Sequence, residues 1–418
     1  MGAALLRQGN QMALPEFIRW YAPFQRKDGS VPCCVDRNGP DWLVEHDSHG
    51  QLIFGVMESF RFTRDRTFLK KMWPHVHKAA RFLETLIASR LTVEYRKTNK
   101  RACWGLLPES ASHEGYLAHP VHSYWDDFWG LRGLRDAASA AQELGHPDRA
   151  QHFAQLASSL QCHLKASIQR VIEVKSIPYV PGSVEWADFD PTATSNAISL
   201  LHGIDCMPPE QVESMFGIYM RDFRRKQRGE TAWNNYTAYE IRIIGALLRL
   251  GKRAEALELL AFFLSDRRPL RWNQWPEISW KDPRTPGHLG DVPHTWIASE
   301  YMLVFISLFA FECESDDTIV IGAGIDEAWL KSKRGIAIQG LPTTYGTLDL
   351  KMNREANGSL RVEIGGQLKP PSGGFVIRPP GNGRIKVLEV NGKSVSTFHD
   401  FDAIIQEFPA CAVVTFKR

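Results

Sequence analysis

Charge of one sign is missing from this 418-residue chain: 50 Lys and Arg stand against 47 Asp and Glu. Without a basic stripe, nucleic acid and anionic membrane surfaces are excluded as expected partners. Long apolar runs are missing too. The longest, residues 301–311, is too short to cross a bilayer, and residues 1–9 lack the basic region and apolar core of a secretory leader. Cysteine is sparse: seven residues, with Cys33 next to Cys34 and no Cys-x-x-Cys pair. They are expected to be reduced and mostly buried, which fits a cytoplasmic setting, with secretion left open if residues precede Met1. His113, His122, His288 and His294 show no ligand spacing on one helix, so neither a metal nor another cofactor is expected.

What is present is a globular composition, 44% hydrophobic and 23% charged, with thirteen Trp. In a chain of near-zero net charge, that many indoles suit a neutral ligand with flat faces, although indoles also fill cores. Up to about residue 312 the apolar residues recur at helical spacing. The pattern predicts helices over 1–8, 11–24, 48–62, 66–89, 123–143, 147–170, 193–202, 208–222, 235–250, 252–265 and 293–311. The connections alternate in length. Long ones end in Glu45-His-Asp-Ser, His122-Ser-Tyr-Trp-Asp-Asp, Asp188-Phe-Asp-Pro-Thr, Thr231-Ala-Trp-Asn-Asn-Tyr and Asp291-Val-Pro-His-Thr-Trp.

Each of these clusters opens the second helix of a hairpin. Repeated helical hairpins predict an (α/α)6 toroid over 1–312, with all five clusters at one end. The count leaves residues 1–8 as an inner helix without its outer partner, so a further helix is expected upstream of Met1. After about residue 315 the period changes to two. Six strand-like runs separated by Asn-Gly, Ser-Gly-Gly and Gly-Asn-Gly predict a small antiparallel β-sandwich over 315–418, with an accessory role.

The densest chemistry lies in residues 119–136. Asp126 and Asp127 sit between Trp125 and Trp129, beside Tyr124 and Phe128, in the first turn of a predicted helix with Ser123 as N-cap. Acids in a first turn are ordinary capping chemistry. The aromatic crowding is more than a cap needs, and suits a sugar cleft. A second constellation spans 271–296, where Glu277 lies among Trp272, Trp275 and Trp280, ahead of His294 and Trp296.

Glycosidic cleavage needs two carboxyls: one protonates the leaving oxygen, and the other takes a proton from the attacking water. Desolvation and a neighbouring carboxylate both raise a carboxyl pKa, so the pair Asp126–Asp127 supplies the acid, taken as Asp126, and Glu277 the base. Inversion requires the two to face each other across a pocket, roughly 6.5–9.5 Å apart. Asp47, His113, Glu114, Tyr124, Trp125, Trp129, Trp233, Asn234, Trp272, Trp275, Trp280, His294 and Trp296 are the candidate substrate-binding residues, with Glu109 and Glu114 as reserve acids.

Tyr124-Trp-Asp-Asp resembles the glucoamylase-type segment in which Trp precedes two acids, the first being the general acid. Glu277, followed by Gly290 and His294-Thr-Trp, resembles the base-bearing loop of the same group. The chain thus resembles the six-hairpin glycosidases of the glucoamylase, glycogen-debranching and α-L-rhamnosidase kind. The terminal strands are similar to the β domain that follows the barrel in α-L-rhamnosidases. The resemblance implies a glycoside hydrolase, inverting, on a neutral oligosaccharide or glycoside. Two departures stand out: Asp replaces Glu at 126 and 127, and the Arg-Asp pair of such enzymes would fall before Met1. The alternatives are a non-catalytic carbohydrate-binding or scaffold protein, and a sugar epimerase or polysaccharide lyase on the same toroid.

Overall fold

The computed structural model describes residues 1–418 except 98, 114, 283, 286–291, 333, 382 and 418. The chain forms two compact units, 12–233 and 1–11 with 234–418. Among the described residues, no helix is long and apolar enough to cross a membrane.

In the unit 12–233 the helices follow the predicted rhythm. After α1 (Gly2–Arg7) of the other unit come α2 (Ala13–Tyr21), α3 (Asp47–Thr63), α4 (Arg66–Ser89), α5 (Tyr124–Leu144), α6 (Pro147–Lys175), α7 (Pro191–Ser199) and α8 (Pro209–Gln227). Helix α6 runs beyond the predicted 170 because Val171 and Ile172 continue its buried stripe. Helices α3 and α5 are buried nearly all round, whereas α4 and α8 bury one stripe each. That difference follows from packing: α3 lies against α2, α4 and α5, and α5 also touches α6 and α7.

The α3–α5 crossing is set by glycine. A Cβ on Gly50 would stand 2.1 Å from the Trp129 carbonyl oxygen, and one on Gly133 would stand 2.8 Å from Gly50 Cα. The crossing also holds a buried ion cluster, in which Asp136 accepts from Arg132 (3.1 Å) and pairs with Arg61. One added element is a short hairpin, β1 (Cys34–Asp36) with β2 (Gly39–Asp41), inside the predicted connection 25–47.

In the other unit, the predicted helix 235–250 is replaced at its start. β3 (Asn235–Thr237) pairs with β4 (Ile278–Trp280), a 3-10 turn follows, and α9 covers only Arg242–Arg249. Pairing with a segment some forty residues away in sequence overrides the local helical period. Then come α10 (Arg253–Ser265) and α11 (Thr295–Phe309), with α1 and α9 both against α11. Where the last helix was expected to reach 311, the chain turns at Ala310 into β5 (Ala310–Cys313).

The remaining strands are β6 (Thr318–Ile321), β7 (Ile336–Thr343), β8 (Gly346–Arg354), β9 (Leu360–Leu368), β10 (Gly374–Ile377), β11 (Ile385–Val390), β12 (Lys393–Val395), β13 (Ala403–Ile405) and β14 (Ala410–Phe416). They form a four-stranded sheet, β13-β10-β6-β5, and a six-stranded one, β12-β11-β14-β9-β8-β7. One shared core joins them, with Ile319, Ile321, Phe375 and Ile377 from the first and Leu350, Val362, Leu388 and Val414 from the second. The arrangement is not wholly antiparallel as expected: β6 and β10 pair in parallel, Thr318 opposite Gly374. The loop from β6 to β10 contains three strands of the other sheet, so the chain returns to the first sheet in the same direction.

Gly50→Ala is expected to destabilise the α3–α5 crossing by at least about 1–3 kcal/mol, since backbone rather than a flexible side chain meets the new methyl. Gly217→Ala, on the exposed face of α8 with nothing within 4 Å, is expected to stabilise by about 0.5–1 kcal/mol. Thermal melts of both variants check the opposite signs.

Candidate active site

Helix α5 begins where three long connections of the unit 12–233 meet. Ser110 bridges to Val121, Ser123 to Ser183, and Pro181 to Phe189, while the Ala111 amide donates to the Val44 carbonyl (2.9 Å). Asp126 and Asp127 are both fully buried in the first turn of α5. Ser123 stands at the N-cap, but its hydroxyl makes no capping bond; it lies 2.9 Å from Ser112 Oγ instead. The loop before the helix competes for the cap's side chain.

That loop is what the two acids hold. Asp127 Oδ1 accepts from the Leu107 amide (2.9 Å). Asp126 Oδ2 accepts from the Ser110 hydroxyl and from the His46 amide (3.4 Å), and its Oδ1 lies 2.9 Å from Ser112 Oγ. Asp47, also buried, accepts from Trp125 Nε1 (2.7 Å) and Gln51 Nε2 (2.7 Å). An ionised carboxyl without a cation partner is costly in such a site, so protonation is the cheaper state. Burial, and then the Asp47 charge, raise the Asp126 pKa to about 8; burial also raises Asp47 and, strongly, Asp127. Burial acts oppositely on the imidazoles, lowering His46 to about 3 and His49 to about 4.

The aromatic residues around the acids are buried as well. Tyr124 OH meets Ser167 Oγ (2.8 Å). Trp125 and Trp129 pack edge to face at 6.2 Å, with Phe54 on Trp129 and His113 5.0 Å from Trp125. Glu114 lies outside the described residues. The surface of this unit carries different groups. Glu109, 41% exposed, is paired with Arg90 and lies 3.7 Å from His122. Partial desolvation opposes its ionisation, but its own amide, His122 and Arg90 outweigh that and lower its pKa. Trp186 is half exposed and meets Tyr116 edge-on at 5.2 Å, and Tyr116 donates to Asp188 (2.9 Å). Sequence reasoning passed over Glu185 and Trp186, although Val184-Glu-Trp-Ala-Asp-Phe-Asp has the same acid-and-indole composition as the chosen clusters.

Glu277 belongs to the other unit. Its carbonyl accepts from the Ala238 amide (2.9 Å), and its carboxylate, 39% exposed, lies 3.9 Å from His294 Nε2. His294 caps α11 by accepting from the Ile297 amide at Nδ1 (3.2 Å), which leaves Nε2–H facing Glu277. Tyr239 meets both His294 (5.8 Å) and Trp296 (5.3 Å) edge-on. Trp296 donates to Glu300 (3.1 Å), which also accepts from Arg242 (2.9 Å). Of the other indoles, Trp275 is buried and donates to the Phe263 carbonyl (3.0 Å), Trp272 is exposed, and Trp280 closes the β3–β4 pair opposite Asn235. Trp233 is half buried and Asn234 is exposed, at the boundary between the units.

The cysteines are all free, but only Cys103 and Cys206 are buried, fewer than expected. Among the described residues, two side-chain groups have the donors to hold a metal: Cys33, Cys34 and Asp41, and Cys103, His122 and Glu185. Histidine spacing along single helices was blind to both, because each draws on loops.

No protein-family profile matches the chain, and no curated protein does. Solved structures do. The α-L-rhamnosidase from Dictyoglumus thermophilum matches 100% of this chain at 12% identity with a TM-score of 0.62, over 46% of its own length. The α-L-rhamnosidase from Aspergillus terreus matches 96% at 13% identity with a TM-score of 0.50, over 45% of its length. The chain therefore has the fold of an α-L-rhamnosidase portion, as the resemblance implied, and spans less than half the length of these proteins.

Asp126 takes up its proton in the folded state between the ordinary carboxyl range and about pH 8. Across that window the folded chain binds more protons than the unfolded one, so the parent loses stability as pH rises. Asp126→Asn is expected to gain on the parent over the same window, at no more than about 1.4 kcal/mol per pH unit. Chemical unfolding of both at several pH values checks the sign.

Proposed function

We propose that the chain is the barrel-and-sandwich portion of a glycoside hydrolase that cleaves a neutral glycoside with inversion. In this reading the helices of 1–312 alternate as outer and inner members of an (α/α)6 toroid, with α1 an inner helix, and 315–418 is an accessory sandwich. The observation that carries it is a carboxyl, Asp126, whose pKa near 8 keeps it protonated at neutral pH where three long connections meet, on a fold shared with α-L-rhamnosidases.

In this reading Asp126 gives its proton to the leaving oxygen. Glu277 takes a proton from water as that water attacks the anomeric carbon, and His294 Nε2–H steadies the carboxylate. Glu109 and Trp186 offer a hydroxyl partner and a stacking face for the sugar. The names of the similar structures make an α-L-rhamnoside the first substrate to try.

The complete burial of Asp126 favours a second assignment within the same reaction. There Asp126 positions the loop 107–112, and Glu109, exposed on that loop, is the carboxyl that touches the sugar. Turnover of an alkyl and a p-nitrophenyl α-L-rhamnoside by Asp126→Asn, Glu109→Gln and Glu277→Gln separates the two. Loss of the acid is expected to lower turnover of the alkyl glycoside by about 10²–10⁴-fold, and that of the activated aryl glycoside far less. Loss of the base is expected to lower both. A full-activity Asp126→Asn with an impaired Glu109→Gln selects the second assignment. Hydrolysis unchanged in all three, or absent on a broad glycoside panel, overturns the hydrolase reading.

A further inference from the structure

We infer that Cys103, His122 and Glu185 form a binding site for a thiophilic divalent cation of the zinc class, which clips together the long connections before α5 and α7. One ligand atom from each lies within 4.8 Å of the others. Tetrahedral zinc ligands stand about 3.5 Å apart, so small side-chain rotations complete the set. Cys103 ends a 3-10 turn, His122 lies just before α5, and Glu185 is in the loop before α7. Cys103 and His122 are buried and Glu185 is exposed, which leaves an entry path from solvent.

The surroundings match what such an ion needs. Glu185 accepts from the His122 amide (2.9 Å) and from His122 Nδ1 (2.7 Å), so two of the three groups are already fixed against each other. The opposite nitrogen, Nε2, accepts from Arg90 Nε (3.2 Å), and Glu109 Oε1 is 3.7 Å away from it. An ion at Nδ1 turns the ring to its other tautomer. Nε2–H then donates to Glu109, giving the carboxylate–histidine–metal arrangement that orients metal-binding imidazoles. Arg90 stays on the other oxygen of Glu109.

The charge also closes. Cysteine binds such an ion as the thiolate, so the thiol gives up its proton when the metal bond forms. That proton goes to solvent as the bond from Cys103 Sγ to the dication forms. Two carboxylates, a thiolate, a guanidinium and a dication then sum to zero. The remaining coordination position is open to water.

The test uses the full chain carrying Cys33→Ser and Cys34→Ser, which removes the second metal-capable group among the described residues, after treatment with chelator. Calorimetric titration with Zn²⁺ is expected to show one equivalent bound with release of protons, measured in buffers of different ionisation heat. Co²⁺ is expected to give a thiolate-to-metal charge-transfer band in the near ultraviolet, which needs no change at Cys103. Cys103→Ser is expected to abolish that band. Cys103→Ser and His122→Ala, each first confirmed as folded by circular dichroism, are expected to weaken Zn²⁺ by more than the roughly 10–100-fold typical of losing an outer partner. Absence of the charge-transfer band in the parent overturns the site, as does Zn²⁺ affinity unchanged in folded Cys103→Ser. The readouts are independent of hydrolysis, so failure here leaves the hydrolase reading standing.

Discussion

The burial of two neighbouring carboxyls at the start of α5 is the constraint on which the unit 12–233 depends. Asp127 holds the Leu107 amide and Asp126 gathers Ser110, Ser112 and the His46 amide, so one helical turn fixes a loop and the entrance to another helix. Neither acid has a cation partner in these bonds. Their cohesion comes from hydrogen bonds to carboxyls that stay largely protonated, which avoids the desolvation cost of a buried anion. A few ångströms along the same loop the logic reverses. Glu109 keeps its charge because Arg90 and His122 stand beside it and solvent reaches it.

Such a pairing of a neutral acid with a charged one is what environment alone can create from identical side chains. It requires a rigid frame, which α3 and α5 supply by crossing at Gly50 and Gly133 without room for a methyl group. In the unit 1–11 with 234–418 the frame is different. A two-stranded pair, β3 with β4, brings Glu277 beside Ala238, and a histidine cap on α11 turns its Nε2 toward the Glu277 carboxylate. In both units the chemistry sits where long connections are tied to helix starts, the places where backbone amides need acceptors.

Much of this organisation was legible from the sequence. Helical period and turn residues placed α2 to α6, α8 and α10 within a few residues, and alternation located β8, β9 and β14, which bury alternate residues over most of their length. The helix expected at 235–250 was misread at its start, since Asn235–Thr237 takes its partner from Ile278–Trp280, far along the chain. The parallel placement of β10 beside β6 likewise follows from where distant strands pack. The indoles around Asp126 advertised a cleft by composition, yet Trp125 and Trp129 are core, while Trp186, in the connection before α7, is exposed.

By itself the sequence determined the elements, the two-part change from helices to strands, and the clustering of acids with aromatics before helix starts. These depend on periodicity and on local capping chemistry, which a linear reading contains. Only the tertiary structure decided which acids are sealed and neutral, which are exposed and charged, and that Cys103, His122 and Glu185 come within 4.8 Å of one another. Burial and charge proximity are sums over residues distant in the chain, and no spacing rule carries them.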